Sequence, residues 1–259
     1  MEIPLFPLHA VLVPGGPLPL HIFEPRYRAL VVDCVAAGTP FGVVCISAGR
    51  EVGVGSVSFA AVGTLAEIRE VARYPDGRYD IVTMGTKRFR VERVEGDWKP
   101  YLVGIGDLLP ELIGDPARVA LLAARVRSRF VRYLELLQVA DEDAAAGDGD
   151  PGTPGRADSG ARNPGPASPV DPDPAAATLA RLEEIVALIA PRDDPVGLGH
   201  IVSGLVQVEL ARRQGLLEAS TTEERLADLD TILASEAALL SRGLAPHALD
   251  PRLLALHRN

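Results

Sequence analysis

Alternating apolar and polar residues between positions 63 and 94 give the strongest structural signal in the chain. Leu65, Ile68 and Val71 alternate with polar neighbours, and the same pattern resumes after residue 78. Alternation of this kind places one row of side chains on a core and the other toward water. Between the two runs lies Pro-Asp-Gly-Arg, whose glycine can adopt the positive φ of a tight turn. The pattern predicts a long β-hairpin with strands at 57–73 and 79–94.

Shorter apolar runs surround this hairpin and predict the rest of a small sheet. Strands are expected at 3–8, 11–13, 18–22, 41–47 and 101–109, and the prolines within and between the first three indicate irregular pairing. A helix should begin at Pro25 and end at Gly38, because apolar residues follow at helical spacing. Residues 3–108 therefore predict a mostly antiparallel, partly open barrel with one helix packed against it.

The apolar period changes from 2 to 3.6 at Asp115, where an N-cap residue precedes Pro116. The predicted apolar face of this long helix consists of Val119, Leu122, Val126, Phe130, Tyr133, Leu134 and Leu137. Further helices are expected at 178–189, about 195–217 and 222–242. Two overlapping capping boxes between Ser220 and Glu224 mark the start of the last one.

Residues 141–175 differ in composition from the rest of the chain. They contain seven prolines and six glycines, and Val170 is the only large aliphatic residue. Such a segment buries too little apolar surface to offset the entropy of ordering, so we expect an acidic, disordered insert. The insert carries −6 of the formal charge of −9. The remaining chain is nearly balanced, which argues against a nucleic-acid partner that needs a basic face.

Several short motifs resemble the Lon protease N-terminal, substrate-binding domain family. They are LFPL at 5–8, HIFEPRYR at 21–28, the long hairpin, Asp-Pro at 194–195, RQGLLE at 213–218 and ERL at 224–226. The resemblance implies an α+β fold: an N-terminal PUA-like β pseudo-barrel over 1–112, followed by a C-terminal α-helical subdomain over 113–245. Residues 246–259 would form a C-terminal tail.

Sequence motifs for catalysis are missing from the chain. It contains no Gly-Lys dipeptide and hence no phosphate-binding loop of the kind that ATPases use. A Ser-Lys peptidase dyad would need Lys87 or Lys99, the only lysines, and neither lies in a peptidase-like motif. Five scattered histidines give no metal-ligand spacing, and Cys34 and Cys45 are predicted to be reduced core thiols. We therefore expect no enzyme activity, no cofactor and no metal.

Function follows from the resemblance more than from any motif. It implies a non-catalytic module that binds unfolded or tagged polypeptide, as an adaptor or regulator of proteolysis with a protease or chaperone as partner. The alternatives are an oligomerising scaffold, with a homo-oligomer formed through the helical half, and an RNA-binding PUA-like protein. Nothing at the amino terminus resembles a signal peptide, and no apolar run approaches the ~20 residues of a membrane span. A cytoplasmic location without membrane contact is therefore expected.

A peptide-binding groove is predicted where the amino-terminal strands, the helix at Pro25 and the long hairpin meet. Its candidate contact residues are Leu18, Leu20, Phe23, Arg26 and Tyr27. Proline-broken strands leave unpaired edges there, and the region has more apolar side chains than one small helix can cover. Ordinary core packing explains the same residues and is the alternative to a groove.

Charged residues of both signs line the hairpin. The arginines are Arg69, Arg73, Arg78, Arg88, Arg90 and Arg93, and six acids accompany them. Mixed charge on paired strands predicts a solvated face with cross-strand ion pairs.

Overall fold

The computed structural model describes residues 1–48, 58–95, 98–147 and 194–242. Its strands are β1 (Glu2–Leu8), β2 (Pro17–Ile22), β3 (Phe41–Ala48), β4 (Ser58–Arg73), β5 (Tyr79–Glu95) and β6 (Val103–Leu108). Its helices are α1 (Pro25–Ala37), α2 (Pro116–Gly147), α3 (Pro195–Leu205), α4 (Leu210–Glu218) and α5 (Thr222–Leu240). The predicted α+β class, with a β-rich first half and a helical second half, is confirmed.

The six strands form one sheet that closes on itself. Its order is β2-β5-β4-β3-β1-β6, and β6 also pairs with the second half of β5. β1 and β3 run parallel, whereas every other pairing among the described strands is antiparallel. Closure removes the free edges of the barrel wall, as in other small barrels.

The long hairpin extends beyond this barrel. β3 pairs with β4 only as far as Ala66, so residues 67–73 continue with β5 alone. The first part of β5 pairs on its other side with β2. We call this three-stranded extension, residues 17–22, 67–73 and 79–84, the arm. Its turn is a type I turn followed by a bulge at Gly77, which has φ 85°.

Three predicted segments differ from the structure. Residues 11–13 form a loop instead of a strand, because the Leu12 carbonyl accepts a hydrogen bond from Thr64 Oγ1 (2.6 Å) ahead of the Gly15-Gly16 turn. The helix predicted at 195–217 is two helices, since the chain becomes extended at Val206 (φ −65°, ψ 134°). Residues 141–147 of the predicted disordered insert are helical and end α2. The rest of that insert, the helix at 178–189 and the tail at 246–259 lie outside the described residues.

Separate cores stabilise the two halves. α1 covers one side of the sheet through Tyr27, Leu30, Val31 and Cys34. The predicted apolar face of α2 packs on α3 and α5, with Leu137 half-buried and its other six members buried. Both cysteines are buried and unbridged, as predicted.

The β half has a second, smaller core, which lies inside the barrel around the fully buried ring of Phe89. A Cβ atom built at Gly42 or Gly63 would lie 2.5 Å or 2.8 Å from Phe89 Cζ. Glycine at these two positions is therefore what gives the ring its space.

Replacing Phe89 by alanine should lower the free energy of unfolding by about 3–5 kcal/mol, because the barrel cannot collapse around the lost ring. Urea unfolding measures this value. Val82→Ala, at an exposed position on the same strand, is the control and should change it by less than about 1 kcal/mol. Equal losses for both variants would contradict the assignment of Phe89 to the core.

Candidate functional site

The surface where β2 meets α1 holds the residues that were predicted to contact peptide. Leu18 and Leu20 face the helix side of the arm and are half-buried. Phe23 lies between β2 and α1, and its side chain is 50% exposed. Arg26 Nε donates to Glu24 Oε2 (3.0 Å), which is the local ion pair expected at the start of a helix.

A small cavity of about 80 Å³ opens beside Phe23. It is lined by Phe6, Leu8, Leu20, His21, Ile22, Phe23, Glu24 and Tyr27. Tyr27 is buried, and its ring stacks on Phe6 at 4.1 Å between centroids, so only part of this residue reaches the cavity wall. The cavity is much smaller than the ~300–1,000 Å³ of small-molecule pockets. It is suited to a single apolar side chain.

Polar groups at the tip of the arm fix the position of His21 next to this cavity. Its Nδ1 lies 2.6 Å from Asp80 Oδ1, and the Tyr74 hydroxyl donates to the other oxygen of Asp80. The hydrogen bond from Tyr74, followed by that from His21, lowers the pKa of Asp80. The described contacts of this cluster include no serine hydroxyl or cysteine thiol that His21 could activate. The contacts of Asp80 therefore orient the His21 and Tyr74 side chains at the edge of the cavity.

A second cleft, of about 250 Å³, lies at the opposite end of the barrel. Its wall consists of Met1, Glu2, Ile3, Pro4, Thr39, Pro40, Leu65, Trp98, Tyr101 and Val103. Lys99 and the Tyr101 hydroxyl both donate to Asp33, at 2.7 Å and 2.6 Å. Sequence reasoning did not find this cleft, because its residues come from four separate segments.

The two halves of the chain meet at a cluster of charged side chains in which the cations are buried and the Glu111 side chain is 30% exposed. Arg88 on β5 donates through Nε to Glu111 (2.6 Å) and through Nη1 to the carbonyls of Leu217 and Ala219 (both 2.7 Å). Arg225 on α5 lies on the other side of Glu111, with Nη1 3.6 Å from Oε2. His200 on α3 lies 3.2 Å from Glu111 Oε1. Arg88, Arg225 and His200 are almost completely buried.

The pKa values of this cluster follow from burial and from its excess of cations. Burial alone would raise the pKa of Glu111, but His200 and Arg88 outweigh it and hold that pKa at about 2. Burial lowers the pKa of His200, and the charges of Arg225 and Arg88 add to this effect. His200 is therefore neutral at pH 7, and Glu111 neutralises one of the two positive charges that the guanidinium groups of Arg88 and Arg225 supply.

Arg88 corrects the prediction that the hairpin arginines all lie on a solvated face. Its side chain is 2% exposed, whereas Arg69, Arg78, Arg90 and Arg93 are exposed as predicted. The strand alternates as expected, but the helical half covers the side of the barrel on which Arg88 lies. Lys87, its neighbour, does point outward. No local sequence signal distinguishes a solvated arginine from one that is later covered.

Comparisons with known proteins identify this architecture. The family described as "ATP-dependent protease La (LON) substrate-binding domain" matches residues 2–235. A Lon protease of Phenylobacterium zucineum is 23% identical over 90% of this chain, which covers 24% of the relative. A Lon protease of Parabacteroides distasonis is 36% identical over 39% of the chain, or 12% of the relative. The chain thus spans a quarter or less of these curated relatives.

Two solved structures share the fold over nearly their whole length. The crystal structure of a Lon N-terminal domain protein from Xanthomonas campestris has a TM-score of 0.53 and 25% identity, covering 88% of this chain and 96% of that one. The N-terminal domain of a Mycobacterium avium complex Lon protease has a TM-score of 0.56 and 17% identity, covering 90% and 98%. Within the described residues, no helix combines the length and apolar character needed to cross a membrane.

Arg88→Ala should lower the free energy of unfolding by about 3–5 kcal/mol, because it removes a buried guanidinium and its hydrogen bonds to Glu111 and to two carbonyls at the junction. Arg90→Ala, two residues further along the same strand and exposed, should change it by less than about 0.5 kcal/mol. Chemical denaturation compares the two variants. A small loss for Arg88→Ala would show that the halves dock without this cluster.

Acidification should destabilise the protein, first through His200 and then through Glu111. Because the pKa of His200 is lowered on folding, the unfolded chain binds a proton more readily, and stability falls as the pH drops below about 6.5. The contribution of Glu111 is present above about pH 4.5 and is lost as the pH approaches 2. Urea unfolding between pH 7.5 and 5 measures the first effect. His200→Gln should flatten this dependence, whereas His9→Gln, at an exposed position, should not.

Proposed function

The chain belongs to the family of LON substrate-binding domains, and we propose that it binds unfolded or tagged polypeptide as an adaptor or regulator of proteolysis. Family membership supports a substrate-binding module. The adaptor role, with a protease or chaperone as partner, is our extension of that membership. We propose a separate protease partner because the similarity covers only the substrate-binding part of the curated Lon proteases.

The exposed ring of Phe23 beside the 80 Å³ cavity is the observation that carries the proposal. An aromatic side chain that is half exposed to solvent contributes little to the free energy of folding, but it offers a large, rigid contact area to a partner. The centroids of the His21 and Phe23 rings are 6.3 Å apart, and the Tyr74 ring lies 6.2 Å from that of His21. Phe23 and His21 line the cavity, and Tyr74 extends this aromatic surface beyond His21.

We propose that the five sequence-predicted residues contribute to this surface in different ways. Leu20 and Phe23 would contact an apolar side chain of the client in the cavity, and Leu18 would extend the apolar wall along β2. Tyr27 would form the floor, held by its stacking on Phe6. The Arg26 guanidinium lies 4.4 Å from the Tyr27 ring centroid and would attract acidic groups of the client at the rim.

A non-catalytic role fits the positions of the two lysines. Lys99 is held in an ion pair with Asp33 (2.7 Å), and Lys87 points into solvent on β5. Neither contacts a serine among the described hydrogen bonds. We therefore propose that proteolysis of a bound client requires a separate protease.

Phe23→Ala should weaken binding of unfolded polypeptide about tenfold, because the exposed ring contributes contact area to the partner. Its free energy of unfolding should change by less than about 1 kcal/mol. Fluorescence anisotropy with labelled, reduced and carboxymethylated lactalbumin measures the affinity. Leu121→Ala is the matched control, since Leu121 is an exposed apolar residue on α2, far along the chain from this surface.

Tyr27→Ala separates groove contact from core packing. Because Tyr27 is buried, this variant should lose about 3–5 kcal/mol of stability.

Unchanged affinity in Phe23→Ala would reject the proposed contact surface. Absence of binding by the unmodified protein, together with concentration-dependent dimer formation, would favour the scaffold alternative.

A further inference from the structure

The arm has two outer edges without a partner strand among the described residues. One is the outer edge of β2, and the other is the β4 edge at 67–73, beyond the last pair with β3 at Ala66. A free edge presents unpaired N–H and C=O groups, which makes it a template for another strand. The two edges differ in how many donors they offer.

The hydrogen bonds of the turn determine which residues point outward. The Tyr74 N–H donates to the Arg78 carbonyl (2.9 Å), so Tyr74 faces β5. In an antiparallel pair this direction alternates along the strand. Ala72 therefore also faces β5, whereas the N–H and C=O groups of Val71 and Arg73 point to the free edge.

The same alternation shows that the β2 edge is blocked. Arg73 is paired with Tyr79, but its main-chain N–H and C=O groups point away from that partner. The main-chain groups of Tyr79 therefore bond toward β2, where Tyr79 pairs with Ile22. Consequently, the main-chain groups of three β2 residues point to its outer edge: Pro17, Pro19 and His21. Since proline has no N–H, two of these three outward positions cannot donate to an added strand.

The β4 edge carries no such block. No proline occurs between residues 58 and 74, and the pairing irregularity between Ile68 and Glu70 lies before the outward residues Val71 and Arg73. Val71 is 44% exposed and lies in one cross-strand row with Ile81 and Leu20. An added strand would extend this apolar row by one position.

We propose that an extended segment of unfolded polypeptide adds to the β4 edge of the arm and hydrogen-bonds to Val71 and Arg73. This inference rests on the proposed function, because it specifies how the client is held. Main-chain bonds supply sequence-tolerant affinity in this mode, and side chains at every second position supply selectivity. The segment that fits has an apolar residue beside Val71 and, two residues away, an acidic residue beside the guanidinium of Arg73.

Val71→Pro removes one outward N–H, and Val71→Thr is the matched control that keeps both the N–H and a β-branched side chain. With labelled, reduced and carboxymethylated lactalbumin, Val71→Pro should raise the Kd about tenfold, and Val71→Thr should raise it less than about threefold. Thermal unfolding of both variants shows whether the arm is intact.

Hydrogen exchange on the unmodified protein, resolved by residue, tests the contact without relying on a variant. The Val71 and Arg73 amides should exchange quickly in the free protein and slowly with lactalbumin bound, whereas Ala72 should be protected in both states. Binding without this protection, or equal affinity of Val71→Pro, would overturn strand addition and leave the proposed function standing. Absence of any binding would overturn both. Protection that rises with protein concentration alone would instead identify a second copy of the chain as the occupant.

Discussion

Arg88 links the two halves of the chain. Its guanidinium, on β5, donates hydrogen bonds to three groups on two other segments: Glu111 and the carbonyls of Leu217 and Ala219 at the end of α4. A buried ion pair contributes little net stability, because desolvation offsets most of the attraction. Its geometry is demanding, however, and a mispaired arrangement would leave buried charges without partners. The cluster of Arg88, Glu111, Arg225 and His200 therefore selects one orientation of the helices on the barrel.

That orientation leaves the arm free. The helical half covers the side of the barrel on which Arg88 lies, and Gln214 on α4 also donates to the Val62 carbonyl (3.0 Å). Both contacts lie in the half of the hairpin that belongs to the barrel wall. The arm extends away from them, and among the described residues α1 covers one of its faces. The exposed rings of Phe23 and Tyr74 and the β4 edge of the arm are therefore not covered by the described helices of the second half.

The two proposed contact regions lie on opposite edges of the arm, and their chemistry differs. Near β2, prolines remove two of the three outward donors, so the proposed contact there would depend on the Phe23 ring and the small cavity. Along β4 the outward donors are intact, so contact there depends on the main chain. A client bound at both regions would be recognised by one apolar side chain and one short extended segment. Both signals are abundant in unfolded chains and are buried in folded ones.

The sequence by itself determined the elements and their class. Alternation around Leu65, Ile68 and Ile81 predicted the hairpin, Pro25 and Gly38 bounded α1, and the change of period at Asp115 separated the two halves, because these signals are local. Tertiary structure alone decided which side of the barrel the helices cover. Burial of Arg88 and His200 depends on that docking, and so does the role of Glu111, since each partner lies on a different segment. The free β4 edge likewise follows from where β3 stops pairing, which no local pattern in the chain records.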